Sequence, residues 1–223
     1  MSSPSSSHIA LQRLTTEFSK LATTDAAALP GIVAAPRRAG GAGGDVDLLL
    51  WDFWLSGPAG SPYEAGLFTG TLTFPRDYPL APPRMVFSPP ITHPNVYAAG
   101  ARAGEVCISI LHAGADATGY ERPEERWTAV HNVRSVLLSV QSMLGDCNVE
   151  SPANVDAAKL LAADPATFRA IVRAEVERSL GLDRRSAAAA AAAAATPAPA
   201  ARASGAGGGE GGGAAGGGGD ARQ

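Results

Sequence analysis

Leu49, Trp51, Phe53 and Leu55 alternate with Asp52 and Trp54 along residues 46–55, a period of two. That period puts the first set on one face of a β-strand, so the chain must build a sheet with one buried face, and Trp54 is expected to cover part of the other. Shorter extended segments flank this one at residues 31–34, 67–74 and 85–87, separated by Gly/Pro-rich punctuation suited to tight turns. Four such strands in succession predict an antiparallel meander.

Helical spacing brackets the strands. Over residues 9–21, Leu11, Leu14, Phe18 and Leu21 recur at steps of three and four, leaving Gln12, Arg13, Thr16, Glu17 and Lys20 to face water. After Phe87 comes a long stretch with no period, carrying His93-Pro94-Asn95 and Cys107, and long irregular segments of this kind often carry function. Spacing returns with Val133, Val136, Leu137, Val140, Met143 and Leu144, behind Asn132 as N-cap, and predicts a buried central helix. A short helix is expected at 155–161, and Asp164-Pro165 opens a last one whose inner face would be Phe168, Ile171, Val172 and Val176.

Beyond Leu182 the chain turns to consecutive alanines, a Pro/Ala piece and a Gly-rich end, which lack the apolar side chains to repay the entropy of ordering. The expected organisation is a flexible N-terminus at 1–8, one domain at 9–182 and a disordered tail at 183–223. The run Gly40-Gly41-Ala42-Gly43-Gly44 resembles a phosphate-binding loop only in composition, having no lysine or helix start behind it, and reads as a flexible turn.

The balance of charge narrows the partners. A formal net charge of −3 with no basic run gives no general attraction to nucleic acid, and no apolar segment approaches the ~20 residues that cross a bilayer, so direct membrane insertion is not expected. Two cysteines, Cys107 and Cys147, are neither a disulfide framework nor a metal-ligand set. A soluble intracellular protein in a reducing compartment is the expectation.

A cysteine flanked by Val106 and Ile108 is, by itself, more often a small buried hydrophobe than a nucleophile. The segment before it changes the reading. His93-Pro94-Asn95 sets a carboxamide on a rigid turn, from which its NH₂ could reach an oxyanion forming at a carbonyl held on Cys107, or could simply tie down the loop. Cys147 has no such neighbours and reads as structural, and Tyr63 and Trp127 read as packing aromatics.

These segments together resemble a known family. His93-Pro94-Asn95 followed by Val106-Cys107-Ile108-Ser109-Ile110-Leu111-His112 is similar to the active-site signature of ubiquitin-conjugating enzymes, and Phe74-Pro75-x-x-Tyr78-Pro79-x-x-Pro82-Pro83 resembles the segment joining that family's third and fourth strands. The stretches 119–127 and 151–159 resemble its G-type branch, which has an extended loop after the cysteine. The resemblance implies an α+β domain (the UBC fold): an N-terminal helix, a four-stranded antiparallel meander, an active-site loop, then C-terminal helices.

It also implies roles. Cys107 would accept ubiquitin from the activating enzyme as a thioester and, with a RING-type ligase, pass it to a lysine of a substrate or of ubiquitin, for degradation. Asn95 would support the loop or stabilise the oxyanion, with His93 structural. His112, Asp116 and Tyr120 would gate the thiol or orient the incoming amine, Asp116 first among them for the lysine. Arg13 and Lys20, the loop carrying Pro75, Tyr78, Pro82 and Pro83, and the segment starting at Ala113 would meet the activating enzyme and ligase. The Tyr78-Pro79 bond is a candidate cis peptide. No metal or cofactor is implied, and the expected location is the cytoplasm, with the nucleus or partner-mediated recruitment to the endoplasmic-reticulum surface as further settings.

Twelve positions separate Asn95 from Cys107, where the family usually has eight, so Ala101-Arg102-Ala103-Gly104 reads as an insertion that puts the Asn95-to-thioester distance in question. Two readings compete with an active conjugating enzyme. One is an inactive ubiquitin-binding scaffold, against which Cys107 stands. The other is a cysteine hydrolase, which needs a histidine base and a partner to orient it, and no triad order is evident for His93 or His112.

Overall fold

A computed structural model of the chain describes residues 6–24, 28–39 and 44–182. Helix α1 (Ser6–Thr23) is followed by strands β1 (Ile32–Arg38), β2 (Val46–Ser56), β3 (Leu67–Thr73) and β4 (Arg84–Phe87), then a long irregular segment and helices α2 (Val133–Gly145), α3 (Val155–Ala163) and α4 (Pro165–Leu182). The strands form one antiparallel sheet in the order β1-β2-β3-β4, the meander predicted. Among the described residues no helix is long and apolar enough to cross a membrane. The tail at 183–223 and residues 40–43 of the glycine run lie outside the described residues, as do 1–5 of the N-terminal segment.

The alternation in β2 does what its period requires. Trp51, Phe53 and Leu55 are fully buried against α2, all of whose six spaced apolar residues are buried, while Trp54 lies half-buried on the opposite face. Each aromatic of this kind withdraws enough apolar surface to contribute about 2 kcal/mol. Asn132 caps α2, its side chain accepting from the Ser135 amide at 3.0 Å while the Ser135 hydroxyl accepts from the Asn132 amide at 2.9 Å.

Three helical positions depart from the pattern. Leu11 and Ile171 are each more than a third exposed, because the inner stripes run through Ala10, Leu14 and Phe18 in α1 and through Phe168, Val172 and Val176 in α4. Glu17, expected in water, is 7 % exposed. Its carboxylate accepts from the Tyr78 hydroxyl at 2.9 Å and from the Val133 amide at 2.7 Å, and pairs with Arg13. The Val133 amide is one of the donors that a helix N-terminus leaves unpaired, so a buried acid there meets both hydrogen bonds and the positive end of the α2 dipole.

Helix α4 is fastened to the segment that leads into the cysteine. The Glu175 carboxylate accepts from the Thr92 amide at 3.0 Å and from its hydroxyl at 2.7 Å, and the Ser179 hydroxyl accepts from the Leu67 amide at 3.0 Å. Tyr63, 2 % exposed, donates to the Thr92 carbonyl at 2.6 Å, and buried Trp127 donates to the Pro79 carbonyl at 2.9 Å, so both aromatics pack as expected. Tyr78-Pro79 is cis, as is Ser88-Pro89.

Candidate active site

The turn before the cysteine is built from buried polar groups that satisfy one another. His93, 1 % exposed, donates from Nε2 to the Met143 carbonyl at 3.0 Å and accepts the Asn95 amide on Nδ1 at 2.9 Å, which fixes its neutral tautomer. Burial pushes its pKa down to about 4. Asn95, 2 % exposed, uses both ends of its carboxamide on Asn148: Nδ2 donates to the carbonyl and Oδ1 accepts from the amide, each at 2.8 Å. In this arrangement the carboxamide holds the loop after α2, with its oxygen and one of its two N–H donors engaged on the Asn148 backbone. What Asn95 presents to Cys107 is its main chain, whose carbonyl accepts the Cys107 amide at 2.9 Å.

That bond also answers the question raised by the longer Asn95–Cys107 spacing. Val96 bridges Val106, the Tyr97 amide donates to the Glu105 carbonyl at 3.0 Å, and the Gly104 amide donates to the Tyr97 carbonyl at 2.8 Å. The extra residues are looped out at the tip of a small hairpin, and Asn95 stays beside Cys107. Gly104 has a φ of +79°, and a Cβ there would fall 2.2 Å from the Phe87 carbonyl oxygen, so glycine is required where the hairpin crosses β4.

The Cys107 thiol is half-buried, with Sγ 3.4 Å from His112 Nε2. Behind it, His112 Nδ1 lies 2.8 Å from Glu121 Oε1, and Glu121 pairs with Arg126, whose other nitrogens donate to the carbonyls of Gly114 at 2.6 Å and Ala113 at 2.8 Å. A thiol, an imidazole and a carboxylate therefore stand in line. The hydrogen bond with His112 lowers the Cys107 pKa, opposed by burial and helped by the Tyr97 hydroxyl and the nearby positive charges of His112 and Arg102. The same bond, with Glu121 behind it, raises that of His112. The pair is biased toward thiolate and imidazolium.

Other residues singled out in the sequence lie in different places. Asp116 is engaged in its own turn: its carboxylate accepts from the amides of Glu121 at 2.8 Å and Thr118 at 2.9 Å, and these bonds hold it well below the usual carboxylate range. It shapes the turn that delivers Glu121. Tyr120 is exposed, its hydroxyl accepting from Asn148 Nδ2 at 3.3 Å. Cys147 is half-buried, and burial pushes its thiol up, as suits a structural cysteine.

Of the expected partner surface, Lys20 and Ala113 are exposed and Pro75 and Pro82 partly so. Tyr78 and Pro83 are buried, Tyr78 with its hydroxyl bonded to Glu17, and so are corrected from surface to core; the large apolar side chain that projects from their loop is Leu80, beside exposed Arg76 and Asp77. Arg13 is half-buried, held by Glu17 and by the His131 carbonyl at 2.9 Å. Glu121, Arg126, Asn148, Tyr97 and Arg102 were not picked out in the sequence. A charged pair at 121 and 126 inside a Gly/Pro-rich loop was the available signal for the first two.

Comparison with known proteins agrees with this geometry. A family model described as "Ubiquitin-conjugating enzyme" matches residues 13–176. A probable ubiquitin-conjugating enzyme E2 7 of Caenorhabditis elegans is 52% identical over 136 residues, 60% of this chain and 80% of that one. The ubiquitin-conjugating enzyme E2-18 kDa of Schizosaccharomyces pombe is 43% identical over 175 residues, and ubiquitin-conjugating enzyme E2 G2 of Homo sapiens is 43% identical over 174, each covering 78% of this chain and 98% of the relative. A match spanning the sheet, the hairpin with Cys107 and most of α4 leaves one conclusion: the chain belongs to the ubiquitin-conjugating enzyme family, in its G-type branch.

Proposed function

We propose that Cys107 carries ubiquitin as a thioester, taken from the activating enzyme and passed, with a RING-type ligase, to a lysine of a substrate or of ubiquitin itself, in the service of degradation. The observation that supports this most is the Cys107–His112 contact of 3.4 Å with Glu121 behind it. In the first step the Cys107 thiolate attacks the carbonyl held by the activating enzyme, the new S–C bond forms, and the activating enzyme's thiolate leaves. Acylation then removes the sulfur's hydrogen bond to His112, one of the contacts that raises its pKa, so the imidazole is better able to take the proton that a lysine amine must lose as it attacks. The amine's N–C bond forms, the S–C bond breaks and Cys107 departs as thiolate. We place this work in the cytoplasm, with recruitment by partners to the endoplasmic-reticulum surface.

The same alignment favours a second reading, since thiol, imidazole and carboxylate in line is also the order a cysteine hydrolase uses. One experiment separates the two: incubation with ubiquitin, activating enzyme and ATP, followed by a non-reducing gel, for the wild type, Cys107→Ser and Cys147→Ser. A carrier gives an adduct that thiol removes, that survives Cys147→Ser and that becomes a thiol-resistant ester in Cys107→Ser. Release of free ubiquitin with water as acceptor would favour the hydrolase, and no adduct at all would favour an inactive scaffold.

A further inference from the structure

The inserted residues bring a cation to the thiol. At the hairpin tip the chain turns through a short 3₁₀ segment, Gly100–Arg102, which sends Arg102 back over the strand it came from. The Arg102 guanidinium carbon sits 3.8 Å from the centroid of the Tyr97 ring, and Nη1 donates to the Tyr97 hydroxyl oxygen at 2.7 Å. Its Nε donates to Glu105 at 2.6 Å, and Glu105 in turn pairs with Arg84 of β4. The guanidinium is therefore oriented from both ends, a use of its rigid fork that a lysine could not reproduce. With its oxygen accepting from Arg102, the Tyr97 hydroxyl directs its proton to Cys107 Sγ, 3.8 Å away.

We propose that Arg102 is a positioning residue for the transfer step: it fixes the Tyr97 hydroxyl as a hydrogen-bond donor to the Cys107 sulfur, and so makes Cys107 a better leaving group when an amine attacks its thioester. This rests on the reading of Cys107 as the ubiquitin carrier and concerns the departing sulfur, whereas the Asn95 carboxamide is bonded to the Asn148 backbone. As the S–C bond breaks, the electron pair goes to Sγ, and a donor already aimed at that atom stabilises the charge that develops there. A thiolate that is more stable leaves faster. Arg102 strengthens the effect, because a hydroxyl whose oxygen accepts a charged donor is itself a stronger donor. The ionisable groups around Sγ are Tyr97 and Arg102 from the hairpin and His112 from the following loop, with Glu121 and Arg126 behind it. Lowering of the thiol by the Tyr97 hydrogen bond and the Arg102 charge agrees with the geometry.

The test uses the full chain carrying Cys147→Ser, so that one thiol reports, with Tyr97→Phe, Arg102→Ala and the double variant. Tyr97→Phe keeps the ring under the guanidinium and removes only the hydroxyl. Two quantities are measured: the pH midpoint of iodoacetamide alkylation of the uncharged protein, and the single-turnover rate at which the ubiquitin adduct discharges to free lysine. Each single variant is expected to raise the midpoint by roughly half a pH unit or more and slow discharge about 3- to 10-fold, with the double variant losing clearly less than the two single losses together. A wild-type midpoint in either single variant overturns the proposal, since Arg102 would then only shape the hairpin, and additive losses in the double variant overturn it too. The midpoint needs no ubiquitin, so failure to charge would count against the carrier reading alone.

Discussion

The Asn95 carboxamide and the Asn148 backbone exchange two hydrogen bonds of 2.8 Å, one in each direction. Asn148 lies just beyond α2, so the pair joins the turn that presents Cys107 to the end of the central helix. Asn95→Ala removes the partners of the Asn148 N–H and C=O at a partly buried site and is expected to cost about 1–2 kcal/mol, read as a lower urea midpoint. Discharge to lysine should fall in parallel with that loss of stability. A variant as stable as wild type yet slow in discharge would instead show the carboxamide acting on the oxyanion.

Glu121 acts through His112, and Glu121→Gln tests that while leaving an amide oxygen for Arg126, which also keeps its bonds to Ala113 and Gly114. Removing the carboxylate makes the imidazole less basic, so the thiolate–imidazolium pair persists over a narrower range of pH. Alkylation of Cys107 at neutral pH should slow several-fold, with its midpoint displaced upward, while the thermal midpoint stays within a few degrees of wild type. An unchanged alkylation profile would remove Glu121 from the chemistry.

His93 makes stability depend on pH in a defined direction. Its pKa is about 4 in the fold against an ordinary 6.5, so between these values the unfolded chain binds a proton that the native protein does not. The contribution is fully present above about pH 6.5, falls as pH drops, and is lost below about 4, a swing of about 3 kcal/mol. Urea unfolding at pH 7 and pH 4.5 should show this loss in the wild type and a smaller one in His93→Gln. Parallel losses in the two proteins would refute it.

Glu17 is a buried acid held by groups from three separate parts of the chain: Arg13, Tyr78 and Val133. Glu17→Leu strands the Tyr78 hydroxyl and the Val133 amide and frees Arg13, and is expected to destabilise by about 3–5 kcal/mol. Amide exchange at the start of α2 should accelerate most. A stable Glu17→Leu protein would mean that packing alone seats α1.

These residues also mark where the sequence could and could not be read. The period-two stripe of β2, the spaced residues of α2 and the Asn132 cap are local signals, each carried within one element, and the structure follows them. Glu17 sits on the same inner stripe as Leu14 and Phe18, but a carboxylate on that stripe looks like a solvated position until Tyr78 and Val133 are known to arrive there from 61 and 116 residues away. The site divides in the same way. Cys107, His93 and Asn95 stand out as a motif, whereas Glu121 reaches His112 only because Asp116 and Arg126 fold the intervening loop back on itself. Asp116, more conspicuous in sequence, turned out to be part of that folding.

The hydrogen bonds from Glu175 to Thr92 and from Ser179 to Leu67 have a consequence for where the working unit can be cut. The family match ends at residue 176, one position past Glu175, and three residues before Ser179. A chain shortened to that limit would keep the clasp on the residue preceding His93 but release the edge of β3 from the helix beneath it. The smallest self-sufficient unit is therefore longer than the span of the family match, and the last turn of helix serves as a buttress for the sheet rather than as a handle on the way to the tail.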